Sequence, residues 1–318
     1  MIALYQQLAQ TLERQSVVLA TVVAIKGSVP REVGAKMLID ANHTFSTIGG
    51  GAGEAKVIEQ ARSLLKTGKN QFVEIDLTGT PNRLNEGICG GMMLVWLERW
   101  NADDIPLVHQ ILDRLKSGRF ATIVTPFISK PYLSDEPCTS ETAFIEVVQP
   151  APTLLIVGAG HVGEQLAKVA HLIGFQIAVQ DDRVEWANCD RYPQATIFNA
   201  AIAEVLLQFS SHAQLYIALV TRGFQYDLEA LMALLDRSIP CQYIGMIGSE
   251  KRVRQVYHAI EQRGISRDRL HSIHAPIGLD IGALTPEEIA VSISAELILI
   301  RRSGSGRPLS EALRLVKS

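Results

Sequence analysis

Cysteine is scarce and scattered in this 318-residue sequence: Cys89, Cys138, Cys189 and Cys241 form no CxxC pair. That spacing excludes a zinc knuckle and a disulfide framework, and it suits a reducing compartment. An excess of charge of one sign is also missing, with a formal net charge of −3 and 20% charged residues. Nucleic acid and an anionic membrane are therefore not expected as partners, because each selects a basic patch. No uninterrupted apolar run is long enough to span a bilayer. Residues 1–9 lack the charged start and small-residue exit of a signal peptide and read as an amphipathic helix. There is no internal repeat, and His43, His109, His171, His212, His258 and His271 show no metal-ligand spacing. A cytoplasmic globular protein is expected. Its length favours two domains over one.

What is present is a glycine-rich turn in a telling context. Leu154-Leu-Ile-Val-Gly-Ala-Gly-His-Val-Gly163 is an apolar run followed by glycines at GxGxxG spacing. An amphipathic stretch follows, and the strand Ile177-Ala-Val179 ends at Asp181-Asp182. This is the strand–turn–helix–strand–acid order of a dinucleotide-binding βαβ unit. Gly158 serves the tight turn, Gly160 the approach of a pyrophosphate, and Gly163 the packing of helix on strand. Free N–H groups at the helix start face the anion, and Asp181 stands where a ribose hydroxyl would be met. A carboxylate there favours NAD over NADP.

The rest of the chain divides by texture. Residues 1–104 alternate strands with few helices and predict an α+β domain. Helices are expected near 2–14 and from the glycine cluster at 49–53 to about 65. Strands are expected near 17–25, 35–39, 72–76 and 88–98. Residues 105–151 read as a connecting helix, a strand near 120–126, a polar loop over 129–139 and a proline-rich linker at 149–152. Residues 152–318 alternate strand and helix regularly, which predicts a Rossmann-like, doubly wound parallel sheet covered on both faces. Thr285-Pro-Glu-Glu288 is a capping box that starts a final helix running to about 300, and the segment 301–307 reads as a tail. The fold class is thus α/β, with a C-terminal doubly wound sheet and a separate N-terminal α+β domain.

Three N-terminal segments carry residues suited to chemistry. Gly27-Ser-Val-Pro-Arg-Glu-Val-Gly-Ala-Lys-Met37 sets Ser28, Arg31 and Lys36 in one loop, either to grip a phosphate or as a solvated turn. Gly49-Gly-Gly-Ala-Gly53 precedes a helix, and this glycine density favours close backbone approach to a ligand at Gly49, Gly50 and Gly51. Glu54 in the first helical turn complements the dipole or acts as an acid/base group. Cys89-Gly-Gly91 exposes a sulfur beside Gly90; it suits a soft metal or sulfur transfer, or else a small core residue. A fourth segment, His274-Ala-Pro-Ile-Gly-Leu-Asp-Ile-Gly282, belongs at the carboxyl edge of the sheet, with His274 and Asp280 as functional candidates or as parts of a rigid loop. Arg222 in Thr221-Arg-Gly223 shares that edge, either meeting a phosphate or lying in solvent.

With those segments in hand, the chain resembles the xanthine dehydrogenase accessory family that includes XdhC and CoxI. The likeness covers nearly the whole chain. It runs through the 27–37, 49–54 and 89–91 segments, the 157–163 turn, Asp181-Asp-Arg183, Thr221-Arg-Gly223, Tyr243-Ile-Gly-Met-Ile-Gly-Ser249 and the 274–282 segment. The resemblance implies an accessory protein rather than a turnover enzyme: a chaperone that binds molybdenum cofactor (molybdopterin), protects it and supports its sulfuration. It would then insert the cofactor into a xanthine dehydrogenase-type molybdoenzyme. It further implies a homodimer, and a cysteine desulfurase as a second partner. The cofactor's phosphate would suit Ser28, Arg31, Lys36 and the glycine amides of 49–53, with Cys89 nearest molybdenum as its metal ligand. The competing reading from the residues alone is a nicotinamide-dependent oxidoreductase using Gly158, Gly160, Gly163 and Asp181 to hold NAD or another dinucleotide. A nucleotide-holding module without chemistry is the third.

Overall fold

A computed structural model of the chain describes residues 1–77, 90–136, 139–140 and 142–314. Two compact units divide it, Met1–Pro150 and Ala151–Ser318. Among the described residues no helix is long and apolar enough to cross a membrane.

The first unit is built on an antiparallel sheet. Strands β1 (Val17–Lys26), β2 (Lys36–Ile39), β3 (Thr44–Ser46), β4 (Gln71–Asp76) and β5 (Met92–Trp100) lie in the order β3-β2-β1-β5-β4. The alternation of β1 sets its two faces, because successive side chains of a strand point oppositely. Val18, Ala20 and Val22 pack with Val57, Ala61 and Leu64 of α2 (Gly51–Thr67). Val17 and Leu19 pack with Leu4 and Leu8 of α1 (Ile2–Leu12) and Ile111 of α3 (Ile105–Lys116). Each fully buried aliphatic side chain contributes about 1.5–3 kcal/mol to this packing. Residues 121–148 add a second antiparallel sheet, β7-β6-β8, from β6 (Ala121–Pro126), β7 (Tyr132–Ser134) and β8 (Ala143–Val148). β7 falls where the polar, proline-containing composition predicts loop. Its three residues pair with 122–124 of β6 and carry too few apolar positions to signal a strand.

The second unit is a six-stranded, all-parallel sheet. β9 (Thr153–Val157), β10 (Gln176–Gln180), β11 (Ala195–Phe198), β12 (Leu215–Leu219), β13 (Tyr243–Met246) and β14 (Ile273–His274) lie in the order β11-β10-β9-β12-β13-β14. That is the doubly wound order, with its reversal between β9 and β12. Leu154 and Ile156 face α4 (His161–Leu172) and α8 (Pro286–Arg302), packing with Leu166, Ile293 and Leu297. Leu155 and Val157 face α5 (Ile202–Gln208), α6 (Phe224–Leu235) and α7 (Glu250–Glu261) through Val205, Leu231 and Val256. Thr285 and Glu288 form the expected capping box of α8. The expected tail past 300 continues α8 to Arg302 and adds the short helix α9 (Leu309–Arg314).

Candidate functional site

In the first unit, the turn before α2 sets Gly49, Gly50 and Gly51 at φ of +135°, +76° and +69°, conformations that L side chains avoid. Glu54 reaches back from the helix and accepts from the Thr47 hydroxyl at 2.5 Å and from the Ile48 and Gly50 amides at 3.0 Å each. Burial raises the pKa of this carboxyl, but those donors outweigh it and leave it below the ordinary value. Glu54 therefore braces the turn through these three bonds. It leaves the N–H groups of the first turn of α2 without a side-chain cap.

Three segments expected from the sequence meet here. A Cβ added at Gly49 would lie 2.5 Å from Pro30 Cγ and 3.9 Å from Arg31 Cγ. One added at Gly91 would lie 2.4 Å from the Ser28 carbonyl oxygen and 2.7 Å from that of Lys26. The 27–31 loop is thus backed by Gly49 on one side and Gly91 on the other. At Gly50, Gly51 and Gly90, by contrast, an added Cβ meets nothing within 4 Å. Ser28 and Arg31 are exposed, and Arg31 makes no ion pair or hydrogen bond among the described residues. The cluster therefore combines open backbone with an unpaired guanidinium, the fork that suits phosphoryl oxygens.

Lys36 does not join it. Its side chain is buried at the start of β2, 2.6 Å from Glu146 and 3.2 Å from the Thr21 hydroxyl, so its charge is neutralised inside the unit. Cys89 lies outside the described residues. Among those described, no group of three or more His, Cys, Asp or Glu could hold a metal ion.

In the second unit, the three glycines have separate jobs. Gly158 (φ +109°) approaches β12 so closely that a Cβ would lie 2.5 Å from the Val220 carbonyl oxygen. A Cβ at Gly163 would lie 2.4 Å from the Gly158 carbonyl oxygen, which is where α4 meets the turn. At Gly160 the space is open, and no side chain caps α4. Arg191 braces the turn from outside, donating to the Ala159 carbonyl at 3.1 Å and to Glu164 at 2.6 Å.

Asp181 departs from the expected ribose contact. Its Oδ1 accepts from the Arg183 amide at 3.1 Å and Arg183 Nε at 2.9 Å. Its Oδ2 accepts from the Ala159 amide and Arg183 Nη2, both at 2.8 Å. A carboxylate offers about four acceptor positions, so all of them are taken. Burial raises the pKa, yet the Arg183 and Ala159 donors hold this carboxyl well below the usual range.

Beside it opens a cavity of about 620 Å³ at the carboxyl ends of the strands, where the strand order reverses. Its lining includes the polar Asp181, Asp182, Arg222 and Glu229 and the apolar Ile202 and Met232. Buried Asp227 fixes the Thr221 turn by accepting from the Thr221 hydroxyl at 2.6 Å and Arg252 Nε at 2.7 Å. Sequence reasoning placed Arg222 at this edge but missed the apolar lining and Arg263, which also lines the cavity. Arg263 sits just past α7, where no motif marks it.

His274 is engaged by the fold. Its Nδ1 lies 3.0 Å from Glu296, and its ring stacks 4.7 Å from that of Tyr243. Glu296 also accepts from the Tyr243 hydroxyl at 2.5 Å and the Gly278 amide at 2.8 Å, which ties the 275–279 loop to α8.

Comparison with known proteins matches both units. Residues 154–297 fit the family model of the XdhC Rossmann domain, and residues 11–76 fit that of the XdhC and CoxI family. The chain is 27% identical over 324 residues to a probable xanthine dehydrogenase subunit of Bacillus subtilis (strain 168), covering 91% of this chain and 94% of that one. It is also 27% identical over 307 residues to the uncharacterized protein YqeB of Escherichia coli (strain K12), covering 94% of this chain but 46% of that protein, so it spans about half that relative's length. The crystal structure of a xanthine dehydrogenase from Bacillus halodurans superposes with a TM-score of 0.75 at 26% identity, covering 98% of each chain. With a family model matched in each unit and one fold shared end to end, the chain belongs to the XdhC and CoxI family.

Proposed function

We propose that this protein carries molybdenum cofactor to a xanthine dehydrogenase-type enzyme during that enzyme's maturation. The observation behind this reading is the convergence of the 27–31 loop, the Gly49–Gly51 turn and Gly90 around open backbone and the unpaired Arg31. Molybdopterin enters as cargo, and its phosphate is the group these residues suit. Arg31 supplies a bidentate cation, Ser28 a hydroxyl donor, and the first turn of α2 its free amides. Glu54 holds the turn in its left-handed conformation before any cargo arrives. Cys89, next in sequence to Gly90, would present sulfur to molybdenum and take part in sulfuration. A cysteine desulfurase as sulfur source and a homodimeric state belong to the same proposal.

Anaerobic titration with molybdopterin tests it. Near-stoichiometric binding at micromolar concentration is expected. Arg31→Ala should weaken binding by about tenfold, the worth of one charge-assisted pair. Cys89→Ala should shorten cofactor retention while leaving thermal unfolding unchanged. No uptake at micromolar concentration would remove this function. The cavity of the second unit supports a second reading, a nicotinamide-dependent oxidoreductase, which requires turnover of a small substrate with NAD or NADP.

A further inference from the structure

The saturation of Asp181 has a chemical consequence for the neighbouring cavity. Where a doubly wound fold takes an unphosphorylated ribose, a free carboxylate at the end of the second strand accepts the 2′-hydroxyl. Where it takes a 2′-phosphate, an arginine nearby does so instead. Here the carboxylate has no acceptor position left. Asp182 is exposed but holds Arg222 Nη2 at 2.9 Å.

The cations are placed differently. Arg222 stacks over the Tyr226 ring at 4.2 Å, and Nη2 bonds the Tyr226 hydroxyl. Its Nη1 lies 3.7 Å from Asp181, beyond hydrogen-bonding reach. Of the five N–H groups of a guanidinium, those on Nε and Nη1 are therefore still available. Its plane is fixed by the stacking and the Asp182 contact, so little is lost in ordering it around an anion. Arg263 lines the same cavity, is exposed, and makes no side-chain hydrogen bond or ion pair among the described residues. Ile202, Met232 and Ala233 add apolar lining that suits the face of a base, and Glu229, which accepts from Gln225 at 2.7 Å, adds a carboxylate to the same lining.

The geometry points to a nucleotide site in the second unit that selects a ribose phosphorylated next to the base, with Arg222 reading that phosphate and Arg263 adding positive potential. The arrangement reverses the preference for an unphosphorylated dinucleotide that Asp181 suggests from sequence. It does not rest on the molybdopterin reading, because the cavity lies wholly within the second unit and its probes are plain nucleotides.

Calorimetric titration of the full chain with adenosine 2′,5′-diphosphate and adenosine 5′-diphosphate separates phosphate position from phosphate number. The 2′,5′ isomer should bind about tenfold more tightly, the size of one bidentate charge-assisted contact. Arg222→Ala should abolish that preference and leave the affinity for the 5′ isomer within about twofold. Arg222→Lys should restore part of it, since a lysine keeps the charge but not the fork. Should Arg222→Ala unfold, Arg263→Ala must still weaken the 2′,5′ isomer more than the 5′ isomer. Equal or reversed affinities, no binding of either isomer at about 1 mM, or a preference that survives Arg222→Ala would each overturn the assignment.

Discussion

In the first unit the carboxylate behind the glycine turn, Glu54, comes from the helix that the turn opens; in the second, Asp181 comes from the neighbouring strand. Glu54 takes amides that precede its helix and recruits no arginine, so the nearby Arg31 remains unpaired. Asp181 takes one amide of its turn and is itself clamped by Arg183, which stacks 4.9 Å from the Trp186 ring. The same device, an internal anion stabilising a strained turn, thus yields a free cation in one unit and a neutralised ion pair in the other. What each turn can still offer a ligand follows from its neighbours, not from its glycine spacing.

Backbone contact gives the largest test of this comparison. Gly91→Ala and Gly163→Ala each place a Cβ 2.4 Å from a carbonyl oxygen, and each should lower stability by about 3 kcal/mol or more in chemical denaturation. Gly50→Ala meets no atom and should cost about 2 kcal/mol, from a backbone conformation (φ +76°, ψ −175°) that glycine alone adopts readily. Equal losses at Gly91 and Gly50 would mean that the 27–31 loop and Gly91 are not in contact.

The units should also respond oppositely to pH. Burial pushes Glu98 on β5 up from 4.5 to about 7, against the Trp100 indole that donates to it at 3.0 Å. The folded state holds this proton more tightly than the unfolded chain does. Its stabilisation is therefore full below pH 4.5 and fades as pH rises through about 7, a loss of about 3 kcal/mol. Glu98→Gln should flatten that slope between pH 5 and 8. In the second unit, burial and then the charge of Arg237 lower His212 from 6.5 to about 4. The Gln214 amide donates to its Nδ1 at 3.2 Å, which assigns the ring proton to Nε2, 3.0 Å from the Thr153 hydroxyl. This stabilisation is present above pH 6.5 and fades as pH falls through about 4, worth about 2 kcal/mol after solvent screening. His212→Gln should remove the acid limb alone. If either variant alters both limbs, the units do not titrate independently.

The smallest effect sharpens the contrast between the anions. Glu54→Gln keeps one acceptor oxygen and should cost about 1 kcal/mol, read as a shift of the unfolding midpoint.

Much of this architecture was legible because it is local. Runs of apolar positions mark β1, β2, β4 and β5 of the first sheet and β9 to β13 of the parallel one, and the capping box marks α8, whereas the three exposed residues of β3 carry no such signal. β14 escaped because two residues have no period, although it adds the sixth strand and carries His274. Lys36 was misplaced because its partner, Glu146, stands on β8, far along the chain. Asp181 was located correctly at its strand end, but its chemistry depends on Arg183 turning back onto it, which spacing does not reveal. The apolar lining comes from α5 and α6 and Arg263 from just past α7, none of which shares a motif with the glycine turn.

Gly91 packs so closely on the carbonyls of Lys26 and Ser28 and on a Val29 methyl that not even a Cβ fits between the two stretches. A change in length on either side would therefore be transmitted undamped to the other. This part of the molecule should tolerate exchange of residues facing outward but resist even single-residue insertion, so its spacing would be inherited more strictly than its composition.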